Sequence, residues 1–284
     1  MMLDQYAVTR SPSFLADTLL PIAGAVVRFY DEHWRRGPDG KIRFDTAQSL
    51  ETWQTAVNPT PEIAGLKYVL GRLLELPSRL ITAEQRAAWT RTLADLPAVP
   101  SQTRNDSVYL KPADSFGDKN NSEDPELYAV FPYRLYDIGQ PSLQTGLNTF
   151  AVREFRDEDR CWWQDEIQAA CLGLAHIAAD GLDKRFRAWN RDFRFPAMWG
   201  PNNDERPDLD HGGAGQIALQ YMLMQSDGEK IYLLPAWPST WEASFKLHAP
   251  GGTILQGEVR QGKVQSLEVT PETRRKDVVI LPLQ

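Results

Sequence analysis

The pattern of apolar residues predicts a mainly α-helical chain that ends in a small antiparallel β-domain. Apolar residues recur at helical spacing in about seven segments before residue 227. After Gly228 the apolar segments become short and strand-like, and turn residues separate them. These two observations divide the chain into a helical domain over residues 1–228 and a β-domain over residues 229–284.

The first three helices are predicted from periodicity and from their end signals. Ser13–Trp34 keeps apolar residues at helical spacing, with Pro21 as an expected kink. Asn58–Leu80 is entered through two prolines and ends near a third. Thr82–Leu96 opens with a Thr and a Glu at capping spacing.

A polar, proline-rich stretch separates these helices from the later ones. Pro97–Glu126 is predicted to be mostly loop, with a short strand over Ser107–Pro112. Long loops of this kind often carry a functional site. The later helices are predicted over Ser142–Phe155, Asp157–Gly181, Asp183–Phe193 and Gly213–Ser226. In the β-domain, Arg260–Lys263 is predicted to be the tip of a hairpin.

Charge and composition exclude several classes of partner. The net charge of −7 and the scattered basic residues argue against nucleic acid. No run approaches the roughly 18 consecutive apolar residues that indicate a membrane helix, so we expect no membrane partner. The first residues lack the basic and apolar regions of a secretory signal.

The sequence contains no recognisable cofactor or metal motif. The four histidines stand far apart, and neither they nor the two cysteines show zinc-ligand spacing. The glycines after Asp210 follow no strand and precede no Lys-Ser/Thr pair, which argues against a phosphate-binding loop. We therefore expect neither a cofactor nor a metal ion.

Tryptophans beside polar groups indicate a sugar ligand. The chain has nine, several of them next to Asp, Glu, Asn or Arg. A sugar ring offers an apolar C–H face for such an aromatic side chain and a rim of hydroxyls for the polar groups. Core packing explains any single Trp as well.

Carboxylates are the remaining candidates for catalysis. Asp210 precedes a glycine pair at the mouth of the last long helix, where the helix dipole stabilises a negative charge. It suits a general base, although a plain N-cap explains it too. Inverting glycoside hydrolysis needs a second, protonated carboxyl group about 6.5–9.5 Å away. Glu51, two residues before Trp53, is one candidate, and the alternatives are Glu62, Glu126 and Glu166.

The segment Leu209–Trp241 resembles glycoside hydrolase family 95, the α-L-fucosidase family with an (α/α) six-barrel of helical hairpins. The likeness rests on "DHGGAG", "LMQS" and "LLPAWPSTW", which stand at the family's spacing. Upstream, "LYAVFP", "SLETW" and "NPTPEIAGLKYVL" are similar to family segments in the same order. The resemblance implies a partial helical toroid, the C-terminal part of the catalytic barrel, followed by the β-domain.

Carried over position by position, the resemblance implies that Asp210 is the general base and Glu51 the general acid of an inverting glycosidase. The substrate would be an oligosaccharide or polysaccharide with a terminal α-L-fucose or a related sugar. We expect four further residues to bind substrate, namely Trp53, Trp199, Asn202 and His211.

Three departures from the family pattern limit what the resemblance implies. His211-Gly212-Gly213 replaces the family's Gly-Asn-Phe, and Asn120–Glu126 replaces a segment with histidines, so the sugar can differ from fucose. The N-terminal half of the barrel has no counterpart here and would be a missing partner. If the full-length protein follows the family, it is periplasmic or extracellular. The alternatives are a non-catalytic carbohydrate-binding or structural remnant, and a lyase or phosphorolytic enzyme.

Overall fold

A computed structural model of the protein describes residues 1–156, 162–187 and 209–283. The chain forms two compact units. The first comprises Met1–Tyr136 and Gln144–Val152, and the second comprises Asp137–Leu143 and Arg153–Gln284. The predicted domain boundary between residues 228 and 229 stays a prediction.

Six α-helices belong wholly or mostly to the first unit. They are α1 (Met2–Thr9), α2 (Pro12–Phe14), α3 (Leu20–His33), α4 (Thr60–Leu74), α5 (Ala83–Asp95) and α6 (Leu143–Ala151). A π-helical turn joins α2 to α3, so the predicted first helix is confirmed and runs from Pro12 to His33. The predicted start of α5 is also confirmed. Its capping partner is Gln85, because the Thr82 hydroxyl accepts from the Gln85 amide at 3.1 Å and the Gln85 side chain accepts from the Thr82 amide at 2.9 Å.

Five short strands lie between the helices of this unit. They are β1 (Ala47–Ser49), β2 (Trp53–Val57), β3 (Ser101–Arg104), β4 (Ser107–Leu110) and β5 (Ser115–Lys119). Strands β1, β2 and β5 form an antiparallel sheet in that order, and β3 pairs with β4 as a hairpin. The predicted strand at Ser107 is confirmed as β4, whereas the other four strands were not predicted.

The second unit contains a group of three packed helices. They are α7 (Asp165–Cys171), α8 (Ala175–Arg187) and α9 (Asp210–Leu223). A single helix was predicted over Asp157–Gly181, but the chain turns between α7 and α8 at Gly173, whose φ of 78° suits glycine. Within α7, every residue from Glu166 to Cys171 is buried.

Six strands follow the helices of the second unit. They are β6 (Met224–Asp227), β7 (Lys230–Leu233), β8 (Ala243–Ala249), β9 (Thr253–Arg260), β10 (Lys263–Thr270) and β11 (Val278–Ile280). Strands β8, β9 and β10 form an antiparallel meander, and the predicted hairpin tip at Arg260–Lys263 joins β9 to β10. Strand β7 pairs antiparallel with β6 and parallel with β11.

The prediction of a mainly α chain with a partial (α/α) six-barrel and an antiparallel β-domain is wrong. The described residues are 45% helix and 22% strand, the strands form four small sheets, and no closed barrel is evident among them. Strands also occur in the first unit. In the second unit, the parallel pairing of β7 with β11 makes the β6-β7-β11 sheet mixed rather than antiparallel. Among the first-unit strands that were not predicted, β5 shows the reason most clearly: each of its residues is at least partly exposed, so it lacks apolar alternation.

The helix from Pro12 to His33 contributes to the core of the first unit. Leu15, Leu19 and Val27 are buried there against side chains such as Ile63 on α4. By length and composition alone, this is the one helix of the described residues that is apolar enough to cross a membrane, and 22% of its apolar window is buried.

Candidate functional site

Glu51 lies in the turn between β1 and β2 of the first unit. The strands pair Ser49 with Trp53, so Glu51 is at the centre of a tight connection. Its side chain is exposed, and the Asn121 side-chain amide donates to Glu51 Oε2 at 3.3 Å. The Gln54 side-chain amide donates to the Glu51 carbonyl at 2.9 Å. The Glu51 carboxylate is therefore hydrogen-bonded but accessible to solvent.

Two residues along the chain from Glu51, Trp53 belongs to an aromatic surface. Trp53 opens β2, pairs with Lys119 on β5 and packs against Phe116, with ring centroids 4.7 Å apart. The Lys119 ammonium lies 5.7 Å from the centroid of the Trp53 ring. Trp53 is partly exposed, so this surface combines an aromatic face and a cation. The substrate-binding role of Trp53 stays a prediction.

Glu123 is a second carboxyl group in the same neighbourhood, and the sequence reading missed it. The buried Thr52 hydroxyl donates to the Glu123 carbonyl at 3.2 Å and accepts from the Glu123 amide at 3.1 Å. The Tyr128 hydroxyl donates to Glu123 Oε1 at 3.1 Å. Burial raises the pKa of Glu123, the hydrogen bond from Tyr128 offsets part of this rise, and the charge of Glu51 raises the pKa further. The sequence feature that could have pointed to Glu123 is the acidic segment Asn120–Glu126, which departs from the family pattern.

The three alternatives for the acid lie in different environments. Burial raises the pKa of Glu62, in the first turn of α4, to about 7. Glu126 lies in the short 3-10 helix Pro125–Ala129 and is partly buried. Glu166 is buried on α7 and forms an ion pair with Arg185. Glu62 therefore has the pKa expected of a general acid at neutral pH.

Asp210 is the first residue of α9, in the second unit. The residue before it, Leu209, occupies the N-cap position, and no side chain caps the helix there. Asp210 is exposed and lies in the first turn, where the unpaired backbone amides favour a negative charge. Asp210 is thus one residue past the N-cap position, and its capping and catalytic roles both stay predictions.

The glycines that follow Asp210 have different surroundings. Among the described residues, a Cβ added at Gly213 would have no neighbour within 4 Å. A Cβ at Gly215 would lie 2.6 Å from the ring of Phe186 and 3.2 Å from Arg185 Cδ. Gly215 therefore lets α8 approach α9, whereas no described residue packs against Gly213.

His211 is buried, with 1% of its surface exposed. Its Nε2 lies 2.7 Å from the Arg185 carbonyl oxygen, and because a carbonyl only accepts, Nε2 carries the proton. The substrate-binding role of His211 stays a prediction. Trp199 and Asn202, the other predicted substrate-binding residues, lie outside the described residues.

The structure brings some predicted residues together within each unit. Glu51 and Trp53 share one turn of the first unit, and Asp210 and His211 share one turn of the second. Among the described residues, no group of three or more His, Cys, Asp or Glu side chains could hold a metal ion. The roles of Glu51 and Asp210 stay predictions.

Comparisons with known proteins identify a similar fold but no family. No protein-family model matches the sequence, and no curated protein matches it. A solved structure described as a putative kojibiose phosphorylase from human microbiome is similar, with a TM-score of 0.61 and 11% sequence identity. The similarity covers 91% of this chain and 39% of that chain, so this chain spans well under half of the other protein's length. At this identity the likeness shows a shared fold over most of the chain.

Proposed function

We propose that the protein acts on carbohydrates and cleaves a terminal sugar from a glycan by an inverting acid/base mechanism. The observation that carries this proposal is the shared fold over 91% of the chain with a protein described as a putative kojibiose phosphorylase. The sequence motifs around Asp210 and the sugar-compatible surface at Trp53 add support. The sugar would be α-L-fucose or a related residue, as the family resemblance implies.

In the hydrolytic reaction, Asp210 accepts a proton from the water that attacks the anomeric carbon. Glu51 donates a proton to the departing glycosidic oxygen, so one C–O bond forms as the other breaks. An exposed carboxylate in a helix first turn suits the base, and Gly213, against which no described residue packs, suits the water and the sugar.

A phosphorolytic reaction is the second candidate, and the name of the structural neighbour favours it. Inorganic phosphate is already an anion and attacks the anomeric carbon without a general base. Hydrolysis therefore requires Asp210, whereas phosphorolysis requires phosphate and proceeds without the Asp210 carboxylate. The two candidate reactions therefore predict different activities for the Asp210→Asn variant.

We expect the purified protein to release a monosaccharide from one member of a substrate panel. The panel contains 4-nitrophenyl glycosides, fucosylated oligosaccharides and α-linked glucose disaccharides, each incubated with and without inorganic phosphate. Asp210→Asn should lower kcat by about 1000-fold without phosphate, which is in the range that loss of a positioned base costs.

Three outcomes decide between the candidates. Sugar 1-phosphate formed only with phosphate, and retained in Asp210→Asn, would replace hydrolysis with phosphorolysis. An Asp210→Asn variant that hydrolyses as fast as wild type would remove the proposed base. Sugar-induced changes in Trp fluorescence without any turnover would favour a non-catalytic binding protein.

A further inference from the structure

A buried ion pair braces the turn that carries Asp210. Arg185, near the end of α8, donates from Nε to Glu166 Oε1 at 3.2 Å and from Nη2 to Glu166 Oε2 at 3.1 Å. The Arg185 side chain is 0% exposed and the Glu166 side chain 6%. Two parallel bonds of this kind fix the plane of the guanidinium as well as its position.

The same guanidinium reaches two further backbone groups. Nη2 donates to the Trp163 carbonyl at 2.7 Å, and Nη1 donates to the His211 carbonyl at 3.4 Å. The His211 ring returns a bond of 2.7 Å to the Arg185 carbonyl, one of the last carbonyls of α8. Each of these two residues thus bonds the backbone carbonyl of the other through its side chain, which links the end of α8 to the first turn of α9.

Two glycines make this close approach possible. A Cβ at Gly181 on α8 would lie 2.6 Å from Glu166 Cγ, and a Cβ at Gly215 on α9 would lie 3.2 Å from Arg185 Cδ. The ion pair therefore occupies volume that any larger residue at Gly181 would take. Such tight packing leaves few alternative positions for the turn that begins at Asp210.

We propose that Glu166 and Arg185 are positioning residues for Asp210, which they hold through His211. This inference rests on the proposed function, in which the Asp210 carboxylate must lie against the attacking water. A buried pair is weak evidence for stability, since apolar residues of similar volume often replace one without loss. The hydrogen bonds between Arg185 and His211 indicate that the ion pair sets the geometry of the first turn of α9.

The first test separates the guanidinium fork from its charge. Arg185→Lys keeps the charge, but an ammonium cannot bond Glu166 twice and reach both backbone carbonyls. We expect kcat to fall roughly 100-fold, the order of loss that a misplacement of about 1 Å causes, with KM within about 2-fold of wild type. Amide hydrogen exchange at residues 211–214 should become faster.

The matched control is Arg153→Lys. Arg153 forms its own two-bond pair with Asp165 on α7, at 3.0 Å and 2.8 Å, beside Glu166 in the sequence. Arg153→Lys should leave kcat and the exchange at residues 211–214 at wild-type values. A loss of kcat in Arg153→Lys as large as in Arg185→Lys would show a general effect of helix packing and overturn the proposal.

The second test separates positioning from stability. In Glu166→Leu/Arg185→Met both charges are replaced by apolar groups of similar size, which should bring the Tm closer to wild type than the single Glu166→Leu change does. If the pair positions Asp210, kcat stays low and exchange at residues 211–214 stays fast in the double variant. A folded double variant with wild-type kcat and exchange would overturn the proposal.

Asp210→Asn, measured on the same substrate, distinguishes failure of this inference from failure of the proposed function. If Asp210→Asn is inactive but Arg185→Lys matches wild type in kcat and exchange, the positioning role is wrong and the base assignment stands. If Asp210→Asn keeps full hydrolytic activity, the base assignment is wrong, and with it the proposed role of the pair.

Discussion

At the scale of single residues, Glu51 and Glu123 lie in one neighbourhood but differ in environment. Glu51 is exposed, and Asn121 donates to it. Glu123 is tied by its backbone to Thr52, and Tyr128 donates to its carboxyl group. Because burial and the charge of Glu51 both raise the pKa of Glu123, a proton binds more readily to Glu123 than to an ordinary glutamate.

We predict that Glu51→Gln lowers the pKa of Glu123. Removal of the neighbouring negative charge eliminates one of the two effects that raise this pKa, and the effect of burial remains. The measurement is the titration of the Glu123 side-chain carboxyl carbon by NMR in both proteins. Asp106→Asn, in the turn between β3 and β4, is the control and should leave the titration unchanged. An unchanged Glu123 titration in Glu51→Gln would show that the two carboxyls do not interact.

Glu62 makes the stability of the protein depend on pH. Burial raises its pKa from 4.5 to about 7, so between these values the folded protein binds a proton that the unfolded chain does not. The free energy of unfolding therefore falls as pH rises from about 4.5 to about 7, by no more than about 3 kcal/mol. Above this window the contribution is constant.

We predict that Glu62→Gln removes most of this fall. The amide has a similar shape and no ionisation, so the contribution of Glu62 to the slope should disappear and a smaller fall from Glu123 should remain. Urea unfolding at a series of pH values measures the free energy in both proteins. The exposed Glu32 offers the control, and Glu32→Gln should keep the wild-type slope. A Glu62→Gln protein with the wild-type slope would mean that another group titrates.

At the scale of elements, helix α9 combines two uses of glycine. No described residue would meet a Cβ at Gly213, and Gly215 accommodates Phe186 and Arg185. A helix-interior glycine costs about 0.5–1 kcal/mol relative to alanine. A functional need for space at Gly213 would explain why this cost is kept so close to Asp210.

We predict that Gly213→Ala stabilises the protein by about 0.5–1 kcal/mol and impairs catalysis. The added methyl group meets no atom of the described residues, but it enters the space proposed for the sugar and its water. Urea unfolding and steady-state kinetics measure the two effects. Gly71→Ala, in α4 and likewise without a neighbour within 4 Å, should give the same gain in stability with unchanged kinetics. If Gly213→Ala also leaves kcat and KM unchanged, Gly213 is not needed for ligand space.

At the scale of the whole molecule, the fold unites helices and four small sheets in two units. Its similarity to a putative kojibiose phosphorylase covers 91% of the chain at 11% identity. At such identity only the backbone arrangement is shared, so function depends on the particular side chains at each turn. The first unit carries the Glu51 turn and the second carries the Asp210 turn.

The sequence alone determined the features that depend on neighbours along the chain. The helix from Pro12 to His33, the Thr82 cap of α5 and the acid at the start of α9 follow from periodicity and end signals within a few residues. Local geometry governs each of them, so no contact with a distant segment was needed.

Only the tertiary structure decided which distant segments meet. Thr52 binds the backbone of Glu123 across 71 positions, and Arg185 reaches His211 across 26. The strands β1, β2 and β5 are stabilised by pairing with one another. Because each residue of β5 is at least partly exposed, its sequence has no apolar alternation from which the strand could be predicted. The folded chain sets the burial of Glu62 and Glu123 in the same way, and burial, not residue type, raises their pKa values.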